Sequence, residues 1–182
     1  MPILELEPSI FPDGLLSDPA LNRDWWAVYT KPRQEKSMAR ELLAGEQPFY
    51  LPLVARRQII RGRVRISHLP LFPGYLFLAG DHEGRLLALQ TNRAVCVLPV
   101  PDASTLVQQL SDIRRLLESG MDIERETALV PGRRIRVRHG PLAGLEGTII
   151  RRHGGDRFVV AIDFLQQGAS VEISEPCLEV VI

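Results

Sequence analysis

The hydrophobic periodicity changes once along the chain, close to residue 120, and this change limits the fold more than any other feature. Before it, short apolar runs alternate with segments of helical period, the last of which ends at Gly120. After it, from Pro131 to Ile182, no helical period occurs, and short β-branched runs are separated by glycines. The sequence therefore predicts an α+β part followed by a separate all-β part.

Length and composition fit two small domains. A chain of 182 residues holds one medium domain or two small ones, and 45% apolar with 24% charged residues exclude a disordered or fibrous protein. No apolar run approaches the roughly 20 residues that span a bilayer, and the N-terminus is acidic and contains prolines, unlike a signal peptide. We therefore expect a monomeric cytoplasmic protein with no membrane partner.

The residues that could carry enzyme chemistry show no suitable pattern. Cys96 and Cys177 are 81 positions apart in apolar contexts, which predicts buried thiols rather than a disulfide or a zinc site. The chain lacks a nucleophile elbow, a phosphate-binding loop and a dinucleotide-binding fingerprint. The four histidines do not have the spacing of metal ligands: His68, His82, His139 and His153. The sequence therefore predicts neither an enzyme nor a metal or cofactor site.

Charge is sorted along the chain although the total is zero. The 22 Lys and Arg residues balance 22 Asp and Glu residues. Residues 25–68, however, carry nine positive and three negative charges, whereas residues 1–24 carry one positive and five negative charges. A neutral protein of this kind can therefore present a strongly basic face.

The first part of the chain is expected to alternate between strands and helices. The aromatic run Trp25 to Tyr29 predicts a strand, and residues 33–44 predict a helix that ends at Gly45. Alternation from Ile59 to Ile66, with Gly62 at the turn, predicts a basic β-hairpin. Its arginines Arg61, Arg63 and Arg65 are expected on one face, opposite Ile60, Val64 and Ile66. The remaining predicted elements are strands at 49–54, 75–78 and 95–100, a helical turn at 85–89 and a helix that ends near 118.

These patterns divide the chain into four segments. Residues 1–24 are acidic, contain four prolines and have no steady period, so we expect a flexible arm. Residues 25–118 should form an α+β sandwich domain, with helices against an antiparallel or mixed sheet. The acidic stretch within 119–130 is typical of a linker, and residues 131–182 should form a small SH3-like barrel of five strands.

One segment of the second part resembles a KOW motif. Gly140-Pro141 opens a turn, a small residue at 143 or 144 (Ala143 or Gly144) lets the chain double back, and Gly147 stands where a side chain would obstruct a tightly bent strand. A glycine-rich SH3-like barrel of another kind is the alternative interpretation.

The first part carries an independent resemblance. A strand rich in tryptophan, a basic hairpin and the run Leu71-Phe72-Pro73-Gly74-Tyr75-Leu76-Phe77 follow in the order seen in the N-terminal domain of NusG-type transcription elongation factors. The chain is therefore similar to this family from Trp25 to its end, with specialised paralogues of the RfaH or capsule-operon type as one branch. The resemblance implies a transcription elongation or antitermination factor whose N-terminal domain binds the clamp helices of RNA polymerase and suppresses pausing.

By matching motif positions, the polymerase would be bound by an exposed aromatic patch. The residues implied are Tyr29, Phe72, Pro73, Tyr75 and Phe77. Tyr29 and Tyr75 favour an interface because each can leave its hydroxyl in water, whereas Phe77 fits a core and an interface equally well. The alternative is that all these rings belong to the core.

The resemblance also implies contacts to upstream or non-template DNA. Five basic residues are the candidates: Lys31, Arg61, Arg63, Arg65 and Arg93. Arginine-rich strand faces neutralise phosphates without reading bases. Residues 57–67 contain no acidic residue, so local ion pairs do not explain the arginines, although a merely solvated hairpin remains the alternative.

In the second part the resemblance implies a site for a small-subunit ribosomal protein or the termination factor Rho. The residues are Gly140, Gly144, Gly147, Phe164 and Leu165. Phe164 and Leu165 match an apolar loop tip, but the Gly-Arg pair that follows Phe in general NusG factors is missing. In the first part, a His-Thr-Thr set used by one specialised branch is also missing, and Arg85, Leu86 and Leu87 stand in that neighbourhood. An RNA-binding or ribosome-associated KOW protein is the rival interpretation, because several arginines crowd the first barrel hairpin.

Overall fold

The computed structural model describes residues 7–18, 23–152, 154–174 and 178–181. It divides into two compact units, Met1–Ala103 and Ser104–Ile182. This division falls at the start of the last helix, whereas the sequence suggested a boundary after residue 118. The expectations for His153, for Cys177 and for the first six residues of the arm lie outside the described residues.

In its described residues, 7–18 and 23–103, the first unit contains a five-stranded antiparallel sheet, two helices and a separate hairpin. Its elements are β1 (Ile10–Phe11), β2 (Trp25–Thr30), α1 (Glu35–Ala44), β3 (Phe49–Tyr50), β4 (Leu53–Ile60), β5 (Arg63–Pro70), β6 (Tyr75–Ala79), α2 (His82–Gln90) and β7 (Ala94–Pro99). The strand order in the sheet is β1-β3-β6-β2-β7, and β4 pairs only with β5. The predicted α+β architecture of this part is confirmed.

One face of this sheet and the two helices share a core. Met38, Ala39 and Leu42 project from α1, and Ala88 projects from α2, onto apolar residues of the sheet such as Val28. Burial of each large apolar side chain contributes about 1.5–3 kcal/mol, so this stripe determines which side of α1 faces the sheet. Helix α1 ends at Gly45 as predicted, and Asp81 caps α2 by accepting a hydrogen bond from the Gly84 amide at 3.1 Å.

Part of the segment expected to be a flexible arm is ordered against the sheet. Ile10 and Phe11 form β1 and pair with Tyr50 and Phe49 of β3. Leu15, further along the arm, is buried. Residues 10–15 therefore belong to the first unit, because backbone pairing and one apolar anchor outweigh the weak local propensity of this segment.

The β4–β5 hairpin has the predicted turn, but its faces differ from the prediction. Arg61 and Gly62 both have positive φ (50° and 74°), which is typical of a two-residue type I′ turn. Such a turn makes Ile60 and Arg63 direct partners, so both lie on the same face. Ile60 therefore shares the face of Arg63 and Arg65, and Arg61 lies in the turn itself rather than on that face.

The second unit contains one helix and a six-stranded antiparallel sheet. Its elements are α3 (Ala103–Glu118), β8 (Glu124–Glu126), β9 (Arg133–Val137), β10 (Glu146–Arg152), β11 (Gly155–Ile162), a 3-10 turn (Asp163–Leu165), β12 (Gln167–Glu172) and β13 (Leu178–Val180). The strand order is β13-β9-β10-β11-β12-β8, so the last strand returns to pair with the first of the five predicted strands. The apolar stripe of α3 is buried as its period predicts: Leu106, Leu110, Ile113 and Leu116.

The sixth strand was not predicted, because β8 lies within the stretch interpreted as a linker. Its residues pair with β12, and the Glu126 side chain is buried. Glu126 accepts a hydrogen bond from the Ser170 hydroxyl at 2.6 Å and pairs with Arg152, while Arg157 donates to Ser170 at 2.8 Å. A buried carboxylate needs such partners, so this network attaches β8 to the edge of the sheet.

No helix in the described ranges is long and apolar enough to cross a membrane.

Candidate functional site

The Phe-Pro-Gly-Tyr segment forms a tight turn that leads into β6. The Tyr75 amide donates to the Phe72 carbonyl at 3.0 Å, and Gly74 has φ +87°. Proline at the second position and glycine with positive φ at the third define a type II turn. A Cβ at Gly74 would lie 3.0 Å from Cε2 of Tyr29, so the turn packs directly against that ring. Glycine is therefore required here by both conformation and space.

Tyr29 and Tyr75 form an exposed aromatic pair. They are register partners on β2 and β6, and their ring centroids lie 5.2 Å apart with the planes inclined by 44°. Tyr29 is 41% exposed, Tyr75 is partly exposed, and Pro73 beside them is exposed. Tilted pairs at this separation are favourable, so the two rings stabilise each other while still presenting surface to solvent.

The two phenylalanines of the predicted patch are placed differently. Phe72 is 1% exposed and Phe77 is 0% exposed, so neither ring contributes accessible surface in this structure. Phe77 lies two residues after Tyr75 on β6, on the same face of the sheet, opposite Ala27 of β2. The expected exposure of Phe72 is therefore corrected, and of the two alternatives left open for Phe77 the structure favours the core, so the accessible part of the patch is limited to Tyr29, Pro73 and Tyr75.

Sequence reasoning missed two residues that extend this patch. Cys96 is the register partner of Tyr29 on β7, and Leu98 is the partner of Ala27, so both lie on the face of Tyr29. Leu98 is 41% exposed, and Cys96 is partly exposed, so the prediction of a buried thiol at Cys96 is wrong. Alternation along the predicted strand 95–100 would have placed them together. We call the set Tyr29, Pro73, Tyr75, Cys96 and Leu98 the aromatic surface.

The predicted DNA-binding residues fall into two groups. Arg61, Arg63 and Arg65 on the hairpin are exposed, and within the described ranges they have no hydrogen-bond or ion-pair partner. Arg93, in contrast, pairs with Glu41, and the Lys31 ammonium donates to Asn92 Oδ1 at 3.1 Å. The unpaired cations are therefore on the hairpin, whereas Lys31 and Arg93 are engaged by neighbours near the end of β2.

The candidate partner site of the second unit is built from two loops. Gly140 and Gly144 have φ of +88° and +86°, and a Cβ at either position would meet nothing within 4 Å. At Gly147 a Cβ would lie 2.6 Å from the Phe158 ring, which confirms that this strand position excludes a side chain. Phe164 (37% exposed) and Leu165, which is partly exposed, lie together in the 3-10 turn and present an apolar tip.

Arginines near the first hairpin of the second unit are mostly paired with carboxylates. Arg134 and Arg136 both contact Glu146, whose pKa is lowered chiefly because Arg136 donates a hydrogen bond to it. Three more pairs are Arg138 with Glu179, Arg151 with Asp156 and Arg152 with Glu126. This surface therefore has little unbalanced positive charge, unlike the hairpin of the first unit.

A partly buried carboxylate lies on the α3 side of the second unit. Burial raises the pKa of Asp112, and a nearby negative charge on Glu146 acts in the same direction, while a hydrogen bond from Gln108 and the charge of Arg115 oppose them. Among the residues that the structure describes, no group of three His, Cys, Asp or Glu side chains is arranged to hold a metal ion.

More than half of the chain matches a known protein family. Residues 23–136, more than half of the chain, match the sequence model of the family described as "Transcription termination factor nusG". The chain belongs to the NusG family. The NusG-family protein is thus a transcription factor, and the matched region contains the aromatic surface, the basic hairpin and the start of the second unit.

Two solved structures are similar to the NusG-family protein. A structure described as "Domain interaction in Thermotoga maritima NusG" is 17% identical, with 90% of this chain and 99% of that chain covered and a TM-score of 0.48. The "Crystal Structure of MjSpt4:Spt5 complex conformation B" is also 17% identical, with 86% and 96% covered and a TM-score of 0.28. No curated protein matches the chain. Family membership therefore rests on the sequence match.

Proposed function

We propose that this NusG-family protein is a transcription elongation factor that docks on RNA polymerase through the aromatic surface of its first unit. One observation carries the proposal: the Tyr29–Tyr75 pair is held by a rigid turn and a sheet, yet remains exposed. Exposed aromatic side chains in a fixed geometry are favoured at protein interfaces, because they bury much area at a low cost in conformational entropy. A clamp-helix hairpin of polymerase would supply the complementary apolar face.

The basic hairpin gives the second element of the proposal. Docking through the aromatic surface would leave Arg61, Arg63 and Arg65 free to contact upstream or non-template DNA. Their guanidinium groups have no partner to displace among the residues that the structure describes, so each phosphate contact would release counterions without breaking an ion pair seen there. Such contacts would favour re-annealing of the upstream duplex and so shorten pauses.

The second unit would recruit a further partner through the apolar tip at Phe164 and Leu165. A small-subunit ribosomal protein is favoured over Rho, because the Gly-Arg pair expected after Phe164 for Rho is replaced by Leu165-Gln166. The rival function, RNA binding by this unit, is disfavoured by electrostatics. Arg134 and Arg136 share Glu146, so RNA phosphates would have to compete with that carboxylate.

A binding assay with the whole chain tests the central claim. Purified core RNA polymerase is titrated with wild-type protein and with Tyr75→Ala. Loss of a centrally placed aromatic anchor should raise Kd about tenfold or more. Phe164→Ala is the matched control, since it removes an exposed ring from the other unit and should leave Kd unchanged.

Thermal melting of each variant separates docking from folding. An unchanged Kd for Tyr75→Ala, together with an unchanged melting curve, would remove the aromatic surface from the proposal. A single-round transcription assay on a template with one strong pause tests the direction of the effect. We expect a shorter pause in the presence of the protein, and a longer pause would overturn antitermination while leaving polymerase binding intact.

A further inference from the structure

Gly74 is held by residues from other elements through both its carbonyl and its amide, which belong to two successive peptide groups. Its carbonyl accepts a hydrogen bond from the Thr30 amide at 2.8 Å, at the end of β2. Its amide donates to Oε1 of Glu35, the first residue of α1, at 2.7 Å. A type II turn does not itself satisfy the amide of its third residue. Glu35 therefore provides the acceptor that the turn lacks.

Glu35 is unusual because its carboxylate is buried. It is only 6% exposed, and a buried carboxylate is costly unless charged or hydrogen-bonding groups compensate it. Two features do so: the short bond from the Gly74 amide, and the N-terminus of α1, whose partial positive charge stabilises an anion in the first turn. Glu35 lies one turn before Met38 and Ala39 on the face of α1 that packs on the sheet, so its carboxylate is buried and depends on these partners.

The contacts of Gly74 connect Glu35 to the aromatic pair. Gly74 packs against the Tyr29 ring so closely that a Cβ would lie 3.0 Å from Cε2, and the next residue, Tyr75, stacks on the same ring. A rotation of the Pro73–Gly74 peptide would therefore move the surface against which Tyr29 rests and the start of β6. The carboxylate of Glu35 holds this peptide in its orientation by accepting its N–H.

We propose that Glu35 is a positioning residue of the docking site, which sets the arrangement of Tyr29 and Tyr75 by accepting the Gly74 amide. The proposal rests on the proposed function of the aromatic surface. Glu35 does not contact the partner. It links α1 to the Phe-Pro-Gly-Tyr turn, so that the two tyrosines are presented in one fixed geometry before polymerase binds.

Two variants of the full chain distinguish the loss of the hydrogen-bond acceptor at residue 35 from the loss of its negative charge. Glu35→Gln keeps an amide oxygen that can accept from Gly74, whereas Glu35→Leu has a similar volume and cannot accept. We expect Glu35→Gln to bind core RNA polymerase within about threefold of wild type and Glu35→Leu to bind about tenfold more weakly. Glu83→Leu, which replaces an exposed acidic residue in the first turn of α2, is the matched control and should bind like wild type.

NMR of the free protein gives a readout that is independent of polymerase. With glycine labelled by nitrogen-15, the wild-type Gly74 amide should be shifted downfield and protected from exchange, and Gly74 should show a nuclear Overhauser contact to the Tyr29 ring. Glu35→Gln should retain the contact to Tyr29, and Glu35→Leu should lose both the protection and the contact. A wild-type Gly74 amide that exchanges like an exposed loop amide overturns the proposal, even where Glu35→Leu does not fold.

The two proposals fail in distinguishable ways. Wild-type protein that does not bind polymerase refutes the docking function, while the NMR contacts still test the role of Glu35. If wild type binds and folded Glu35→Leu binds equally well, Glu35 is not a positioning residue. Lost affinity with an intact Gly74–Tyr29 contact also overturns it, because the effect would then arise elsewhere.

Discussion

Neutralising two hairpin arginines should change the salt dependence of the transcription complex by a predictable amount. Arg63 and Arg65 are exposed, lie on one face of β5 and have no carboxylate partner within the described residues. Two strand positions separate them, so their Cα atoms are about 7 Å apart, which allows each to reach a different phosphate. We therefore expect the double variant Arg63→Gln with Arg65→Gln to lose two phosphate contacts.

Counterion release converts this geometry into a magnitude. Each neutralised phosphate adds about 0.9 to the slope of log K against log salt, so two contacts correspond to about 1.8. Between 50 and 200 mM salt, wild-type affinity should then fall about twelvefold more than that of the double variant. The assay is a titration of elongation complexes, assembled on a labelled duplex scaffold, at several salt concentrations.

A matched control removes the same number of charges from a different surface. Arg134 and Arg136 are also strand arginines two positions apart, but both already contact Glu146. The variant Arg134→Gln with Arg136→Gln should therefore leave the slope close to that of wild type. Equal slopes for the hairpin variant and wild type would refute the DNA contact, and an equal decrease for both variants would show a general effect of net charge.

Three further predictions concern the second unit. Gly147→Ala, whose Cβ would overlap the neighbouring strand, should lower the free energy of unfolding by about 1–3 kcal/mol in urea. This loss should exceed that of Gly140→Ala, which meets open space and has only the backbone strain of its positive φ; equal losses would contradict the overlap. Ser170→Ala should cost about 1–3 kcal/mol in the same assay, because it leaves the buried Glu126 carboxylate short of a donor, and an unchanged urea midpoint would show that this bond is dispensable. Asp112→Asn should raise the melting temperature at pH 7, since a raised pKa means that ionisation destabilises the folded state, and the gain should vanish below about pH 4; a gain at every pH would refute this origin.

The features that were predicted correctly from the sequence are those determined by short-range interactions along the chain. Gly45 ends α1, and the period of apolar residues places Leu106 and Leu110 on the buried side of α3. The turn at Arg61-Gly62 follows from glycine in a short loop between alternating runs. Each of these features depends on residues a few positions apart, which is the distance over which backbone conformation and side-chain period act.

The faces of the hairpin were harder to predict. The prediction continued the strict alternation of side chains between two faces through the turn. It therefore placed Arg61 on the same face as Arg63, and Ile60 on the opposite face. A two-residue loop interrupts that alternation, because the residues on either side of it become direct partners. The error was therefore one of register, not of the type of element.

Strands β1 and β8 could not be predicted from local pattern. Strand β8 (Glu124–Glu126) has no apolar residue, and β1 has only two residues. Both strands are held by backbone pairing to a distant edge, and β8 is held also by the buried bond between Glu126 and Ser170. Partners at such separation leave no periodic signal in the segment itself.

The candidate site was predicted in part. The tyrosines could be assigned because each has an apolar ring and a polar hydroxyl. The strand Tyr75–Ala79 is apolar at nearly every position, so it carries no alternation to show that Phe77 would be inaccessible. Glu35 gave no signal beyond an acidic residue at a helix start, because its partner is an amide 39 positions away.

Because β8 pairs with the sheet, the connection between α3 and the first strand of the second unit is shorter than the sequence suggested. Only residues 119–123 separate the end of α3 from β8, in place of the twelve residues 119–130 suggested by sequence. At about 3.3–3.6 Å per residue, five residues extend no further than about 18 Å, against about 43 Å for twelve. The connection between α3 and the sheet is thus less than half as long as the sequence suggested, so even a detached helix would remain within about 18 Å of the first strand.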